Sequence, residues 1–256
     1  YNFLGFFIGA LVIGPLSDTY GRRKTMLGGN AILCLGAIGC ACAPSINFLL
    51  VSRFIQGVGA STSVVLVYTI IADLYQNNKA IKLVGLMNAA LAVVLAGAPV
   101  LGGFINQAIG WRGSYALVAV FSVITWLLLL WKLPESKNPF VKFNLTTIYS
   151  DYKQLITNFR FLAAAMIPNL LFAAYMAYIA TSAFLYMGTF DLPIYTFVAH
   201  QTIIVLFFTL TSIFSPKIIA LLGSYKTAQY GVMLTVLSAV MFIIFSYEEV
   251  YSAYLT

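Results

Sequence analysis

The residues of this sequence whose types and spacing can do chemistry are few, and most are charges set beside or inside apolar runs. Gly14-Pro15-Leu16-Ser17-Asp18-Thr19-Tyr20-Gly21-Arg22-Arg23-Lys24 places the carboxylate of Asp18 four positions before the guanidinium of Arg22, at the end of an apolar run. This is ion-pair chemistry: the Arg22 fork fits a carboxylate carried by another element, and Asp18 can face a helix N-terminus. Pro15 and Gly21 are expected to shape a tight turn there. In Arg53-Phe54-Ile55-Gln56-Gly57-Val58-Gly59-Ala60, the residues Arg53, Gln56, Gly57 and Ala60 share one helical face. An arginine inside an apolar span costs about 2.5–3.5 kcal/mol on insertion scales, so it faces a cavity or partner helix, or snorkels back to the interface. Asp73 closes the same run, at the level of Arg22, where it is either a partner for that arginine or a plain surface aspartate.

Polar groups elsewhere in the apolar runs need partners too. Asn88, Asn169, Tyr175, Tyr178 and Ser182 are the candidates for a substrate cavity. The Tyr175–Tyr178–Ser182 face would join aromatic stacking to hydrogen bonding in a permissive pocket, or else serve helix packing. His200, the one histidine, stands beside Gln201 and can titrate near neutral pH, but no carboxylate is in register with it. No Asp or Glu lies deep in any apolar run, so the sequence offers no proton-binding acid of its own. Cys34, Cys40 and Cys42 lack metal-ligand spacing and read as packing residues. With no nucleophile elbow, no HExxH and no paired intramembrane acids, an enzyme is not expected, nor a metal or organic cofactor.

The elements that must hold these groups are membrane helices. The 256 residues are 61% hydrophobic and 8% charged, far from the quarter or so of charged residues in a soluble domain. Apolar runs fall near 1–16, 26–43, 47–73, 83–107, 114–133, 161–187, 195–215 and 227–246, helix-sized and unlike the short alternating strands of a barrel. An all-α membrane protein of about eight spans follows. The net charge of +7 does not indicate nucleic acid, because the basic residues lie between spans and not on a stripe of a folded domain. Arg22, Arg23, Lys24, Lys79, Lys82, Lys132, Lys137, Lys142, Lys153, Arg160, Lys217 and Lys226 all fall on one side, leaving Arg112 opposite and Arg53 within a span. By the positive-inside rule that side is cytoplasmic. Tyr1-Asn2-Phe3 carries no basic region or cleavage site and does not read as a signal peptide.

The long polar interval 134–160 divides the chain into a bundle over 1–133 and a second, partial bundle over 161–256. Its lysines interleave with Phe140, Phe143, Tyr149 and Tyr152, which suits either a segment lying on the cytoplasmic leaflet or a solvated linker. The segment 14–25 recurs, decayed, as Ser215-Pro216 through Gly223-Ser224-Tyr225-Lys226-Thr227. Two parallel halves related by an axis along the membrane normal would give such a repeat.

The 14–24 segment resembles the G-x-L-x-D-x-x-G-R-R signature between the second and third helices of major facilitator transporters. Arg53-Phe54-Ile55-Gln56-Gly57-Val58-Gly59-Ala60 is similar to the R-x-x-Q-G-x-G-A motif of that family's fourth helix. Leu95-Ala96-Gly97-Ala98-Pro99-Val100-Leu101-Gly102-Gly103 resembles the antiporter motif G-P-x-x-G-G of its fifth, with Ala98 where a glycine is usual, as in the bicyclomycin- and chloramphenicol-resistance branch of drug:proton antiporters. Gly97, Gly102 and Gly103 permit close backbone approach and Pro99 bends the helix; a generic packing helix has the same composition. Gly110-Trp111-Arg112-Gly113-Ser114-Tyr115 and Leu133-Pro134-Glu135-Ser136 resemble the opening and close of the sixth helix, and Tyr178–Phe184 the seventh.

The resemblance implies a twelve-helix bacterial inner-membrane exporter, monomeric when complete, with the second to ninth helices present here. It implies that Gly14, Asp18, Gly21, Arg22, Arg23 and Asp73 form a cytoplasmic gate, that Arg53 and Gln56 organise coupling to a proton, and that the proton-binding acid lies in a first helix outside this chain. The substrate would be a small amphipathic molecule and the coupling ion a proton. The competing readings are a proton- or sodium-coupled importer of sugars or organic acids on the same fold, and a non-transporting sensor or decayed fragment. The 256 residues alone are not expected to transport.

Overall fold

The computed structural model describes residues 1–75, 78–136 and 143–247. Among these, helices follow one another with little between them: α1 (Asn2–Tyr20), α2 (Arg22–Ala41), α3 (Ile46–Leu74), α4 (Asn78–Ile109), α5 (Trp111–Lys132), α6 (Leu145–Thr157), α7 (Phe159–Phe184), α8 (Ile194–Leu222) and α9 (Ser224–Tyr247). Seven of them, α1, α2, α3, α5, α7, α8 and α9, contain stretches long and apolar enough to cross a membrane. The eighth expected span, 83–107, lies within the 32-residue α4, whose described apolar stretch is the shorter Lys82–Leu91.

Local sequence explains where the helices stop. The side chains of Ser45 and Asn158 accept from the backbone N–H of Phe48 and Phe161, capping α3 and α7. Asn144 does the same for Thr146 at the start of α6. Three junctions turn on one glycine each: Gly110 (φ 76°, ψ 177°) separates α4 from α5, and the other two form a pair. Gly21 (φ 97°, ψ 151°) separates α1 from α2, and Gly223 (φ 80°, ψ 157°) separates α8 from α9. That backbone region is essentially closed to side chains with a Cβ. In both turns the glycine N–H bonds back four residues, to Ser17 and to Ile219, and its carbonyl accepts from Thr25 and Thr227 respectively. The decayed sequence repeat therefore encodes the same single-residue turn twice.

One expectation is corrected by α1. Pro15 does not help make the turn but lies inside the helix, which continues to Tyr20, so Gly21 turns the chain alone. A helical proline removes one i→i−4 donor, here the donor for the carbonyl of Leu11.

Contacts divide the chain into two compact units, one of Tyr1–Val84 with Val100–Gln154, the other of Gly85–Pro99 with Leu155–Thr256. In the first unit α3 lies between α1 and α2. The backbones approach through glycines: a side chain at Gly5 or Gly57 would meet backbone atoms across the α1–α3 contact, and one at Gly36 or Gly59 across α2–α3. Small residues at membrane-helix contacts allow this approach, which replaces the hydrophobic driving force that lipid does not supply. α5 is fastened to α2 at three levels. Arg112 Nη2 donates to the Ala43 carbonyl (3.0 Å), Trp126 Nε1 to that of Leu27 (3.0 Å), and Arg23 Nη2 to that of Leu130 (2.8 Å). Ile13, Met26, Leu66 and Ile70 form the apolar centre of this unit.

Candidate functional site

The most densely connected polar group of the first unit is Arg22. As the first residue of α2 it is placed by the Gly21 turn beside the last turn of α1 and the end of α3. Its Nε donates to Asp73 Oδ2 at 3.0 Å, its Nη2 meets Asp18 Oδ1 at 2.9 Å, and its Nη1 donates to the Ser17 hydroxyl. The guanidinium is thus held from two sides, and its side chain is only 6% exposed against 25% for Asp73 and 42% for Asp18. Charge-assisted bonds of this kind are the stronger sort, and a nearly buried guanidinium depends on them.

Glu135 completes the arrangement, and sequence reasoning gave it no role beyond a loose motif match. Its Oε1 accepts from the Arg22 backbone N–H (2.8 Å) and its Oε2 from that of Arg23 (3.2 Å), so a carboxylate from beyond α5 caps the first turn of α2. The position is electrostatically apt, since helix N-termini carry partial positive charge and unpaired N–H groups. The clue available in sequence was that Gly21 offers no side-chain cap.

Of the remaining gate candidates, Gly14 has no neighbour within 4 Å of where a Cβ would stand. Among the described residues the same holds for Gly97, Gly102 and Gly103 of α4. Pro99 lies in α4, but its ring is not among the described side chains.

At the opposite end of α3, Arg53 Nη1 donates to Gln56 Oε1 at 2.8 Å, one turn along the same helix. Asn2 of α1 reaches in with its amide, donating to the Arg53 carbonyl at 3.0 Å and approaching Gln56 Oε1 at 3.5 Å. From α5, the ring of Tyr115 lies 5.6 Å from Arg53 Cζ. The ion pairs found among the described residues belong to Arg22, whereas Arg53 has neutral neighbours. Asn2 and Tyr115 were not legible as partners, because they lie 51 and 62 positions away.

In the second unit, Tyr178 and Ser182 come together, one turn apart on α7, around Gln201 of α8. Gln201 Nε2 donates to the Tyr178 hydroxyl (3.2 Å) and to Ser182 Oγ (3.3 Å). Tyr186, in a π-helical turn Leu185–Thr189, is buried among Phe190, Phe197 and His200, with the His200 ring 5.3 Å away. His200 Nδ1 lies 2.8 Å from the Thr196 carbonyl; since a carbonyl only accepts, Nδ1 carries the hydrogen. Asn169 is exposed and donates to Ala165 of its own helix, Tyr175 is half-buried, and Asn88 is exposed. Among the described residues no three His, Cys, Asp or Glu side chains cluster as metal ligands.

The Chloramphenicol resistance protein CraA of Acinetobacter baumannii is 29% identical over 229 residues, covering 88% of this chain and 55% of that protein. The Multidrug transporter MdfA of Yersinia pestis is 31% identical over 173 residues, 67% of this chain and 42% of its own. The Multidrug resistance protein MdtM of Salmonella typhimurium is 26% identical over 172 residues, again 67% and 42%. The chain spans about half the length of the curated relatives it matches. The profile of the Major Facilitator Superfamily matches residues 1–255, and the chain belongs to that family.

Proposed function

We propose that the chain is part of a proton-coupled exporter of drugs or other small amphipathic molecules that works by alternating access in a bacterial inner membrane. The observation that carries this reading is the Arg22 junction. It ties the end of α1, the start of α2 and the end of α3 with one guanidinium and two carboxylates, Asp18 and Asp73. A nearly buried charge held this way is a two-state element: either all its partners are in place or a buried cation is left uncompensated. As a latch on the cytoplasmic side, it favours the conformation open to the outside by fixing how α1, α2 and α3 meet within the first unit.

Export in place of import is supported by the relatives, whose names describe chloramphenicol and multidrug resistance. In this reading Arg53 is the intramembrane charge through which proton binding is sensed. The test is dye accumulation in everted membrane vesicles that carry the complete transporter. Ethidium uptake should start on acidifying the lumen and collapse when the pH difference is dissipated. Dye movement indifferent to the pH difference, or running in the import direction, would defeat the proposal.

A further inference from the structure

We propose that Tyr115 is the positioning residue for Arg53, holding the guanidinium against the inner face of the bundle so that it does not snorkel toward the outer interface. This rests on the reading of Arg53 as the coupling charge and adds a residue to it. Arg53 is within a span, and a long cationic side chain near the end of a membrane helix reaches outward by default. The hydrogen bond to Gln56 fixes one nitrogen, but it comes from the same helix and cannot by itself stop the side chain from swinging. Tyr115 supplies the restraint from a different helix, its ring 5.6 Å from Arg53 Cζ, within cation–π range.

The ring is itself held in place. Trp111, one turn earlier on α5, meets it edge-to-face with centroids 6.0 Å apart. Arg112 then anchors that end of α5, lying over the Trp111 ring at 4.3 Å and donating to the Ala43 carbonyl at the end of α2. The chain of contacts Ala43–Arg112–Trp111–Tyr115–Arg53 therefore runs from the external turn to the intramembrane charge. The groups around the guanidinium are Gln56 of α3, the Tyr115 ring of α5 and, within electrostatic reach, the buried thiol of Cys40 on α2, while Asn2 of α1 holds the Arg53 backbone carbonyl. An aromatic face attracts a cation without neutralising it, so Arg53 keeps its charge for a later partner.

The test is arginine labelling by phenylglyoxal in lipid vesicles holding the complete transporter, with modified peptides quantified by mass spectrometry. Tyr115→Leu should raise the rate at Arg53 about threefold or more, the population change expected on losing a partly desolvated cation–π contact. Tyr115→Phe, which keeps the ring, should restore the slow rate. Arg22 at the other membrane face is the internal standard. An unchanged Arg53 rate in Tyr115→Leu, or an equal rise at Arg22 and Arg53, overturns the proposal.

The same variants in the complete transporter separate the two claims. Tyr115→Leu should shift the pH profile of dye export in the same direction as Arg53→Lys, while Tyr115→Phe leaves it in place. If Arg53→Lys leaves the profile unmoved, the coupling reading falls, and the labelling rates alone decide whether Tyr115 positions the guanidinium. If Arg53→Lys moves it and Tyr115→Leu does not, the positioning role alone is overturned.

Discussion

The hydroxyl of Tyr152 donates to the carbonyl of Leu11 at 2.6 Å, the carbonyl that Pro15 deprives of its helical donor. A residue of α6, within the polar interval after the bundle, thus satisfies a backbone group left open by a proline of the signature segment. An unsatisfied backbone carbonyl in an apolar setting is costly, which gives α6 a specific docking point on α1.

This contact has a pH signature. Burial raises the Tyr152 hydroxyl above the ordinary tyrosine value of 10.0. Its folded-state pKa therefore exceeds the unfolded one, so its contribution is fully present below pH 10 and is lost as pH rises through the higher folded value. The difference between the absorbance titrations of the parent chain and Tyr152→Phe should be one tyrosine that ionises late. Tyr152→Phe should also lower the protection of α6 amides at neutral pH, relative to their intrinsic exchange rates. Pro15→Ala, which restores a donor for Leu11, should weaken the same contact.

The Arg22 junction should show unequal partners. Asp73 is the less exposed acid and Asp18 the more exposed, so Asp73→Asn should destabilise the first unit more than Asp18→Asn. A double-mutant cycle on Arg22 and Asp73, read from thermal unfolding in detergent, should give a coupling of about 1–3 kcal/mol. Equal effects for the two acids would contradict the geometry.

Glu135 should act as a helix cap and not as a partner for the Arg22 side chain. Glu135→Ala should cost about 1 kcal/mol, and the increase in hydrogen exchange should concentrate at the Arg22 and Arg23 amides. Loss of protection at Asp73 in place of these amides would assign Glu135 a different task.

Gln201 should matter more to the α7–α8 contact than either group it bridges. Gln201→Leu removes both hydrogen bonds at once, each worth about 0.6 kcal/mol by the average of membrane double-mutant cycles. Tyr178→Phe should cost about half as much. If Tyr178→Phe instead weakened dye binding without touching stability, Tyr178 would be a substrate contact first.

The helical spans and the glycine turns at 21 and 223 were legible because they depend on local composition and on one backbone conformation. Arg22 and Asp73 were nameable as partners because one ends a loop signature and the other ends an apolar run at the same level. The glycine turn at 223 could be found because its Ser-Tyr-Lys-Thr sequel echoes that at 21. Other parts were not legible for equally physical reasons. Asn2, Tyr115, Tyr152 and Gln201 act across helix–helix contacts whose pairing no periodicity reveals. Pro15 misled because a proline beside a glycine and an aspartate looks like turn chemistry, whereas in an apolar helix a neighbouring hydroxyl can take up the carbonyl it frees.

The central claim, that proton movement is coupled to export of an amphipathic molecule through this bundle, is tested most directly in proteoliposomes containing the complete transporter and a pH-sensitive dye in the lumen. With no gradient imposed at the start, adding a transported cation such as ethidium should move protons in the direction opposite to the drug, and Arg53→Lys should slow both fluxes together. Drug flux without proton flux, or proton flux in the same direction as the drug, would contradict the account.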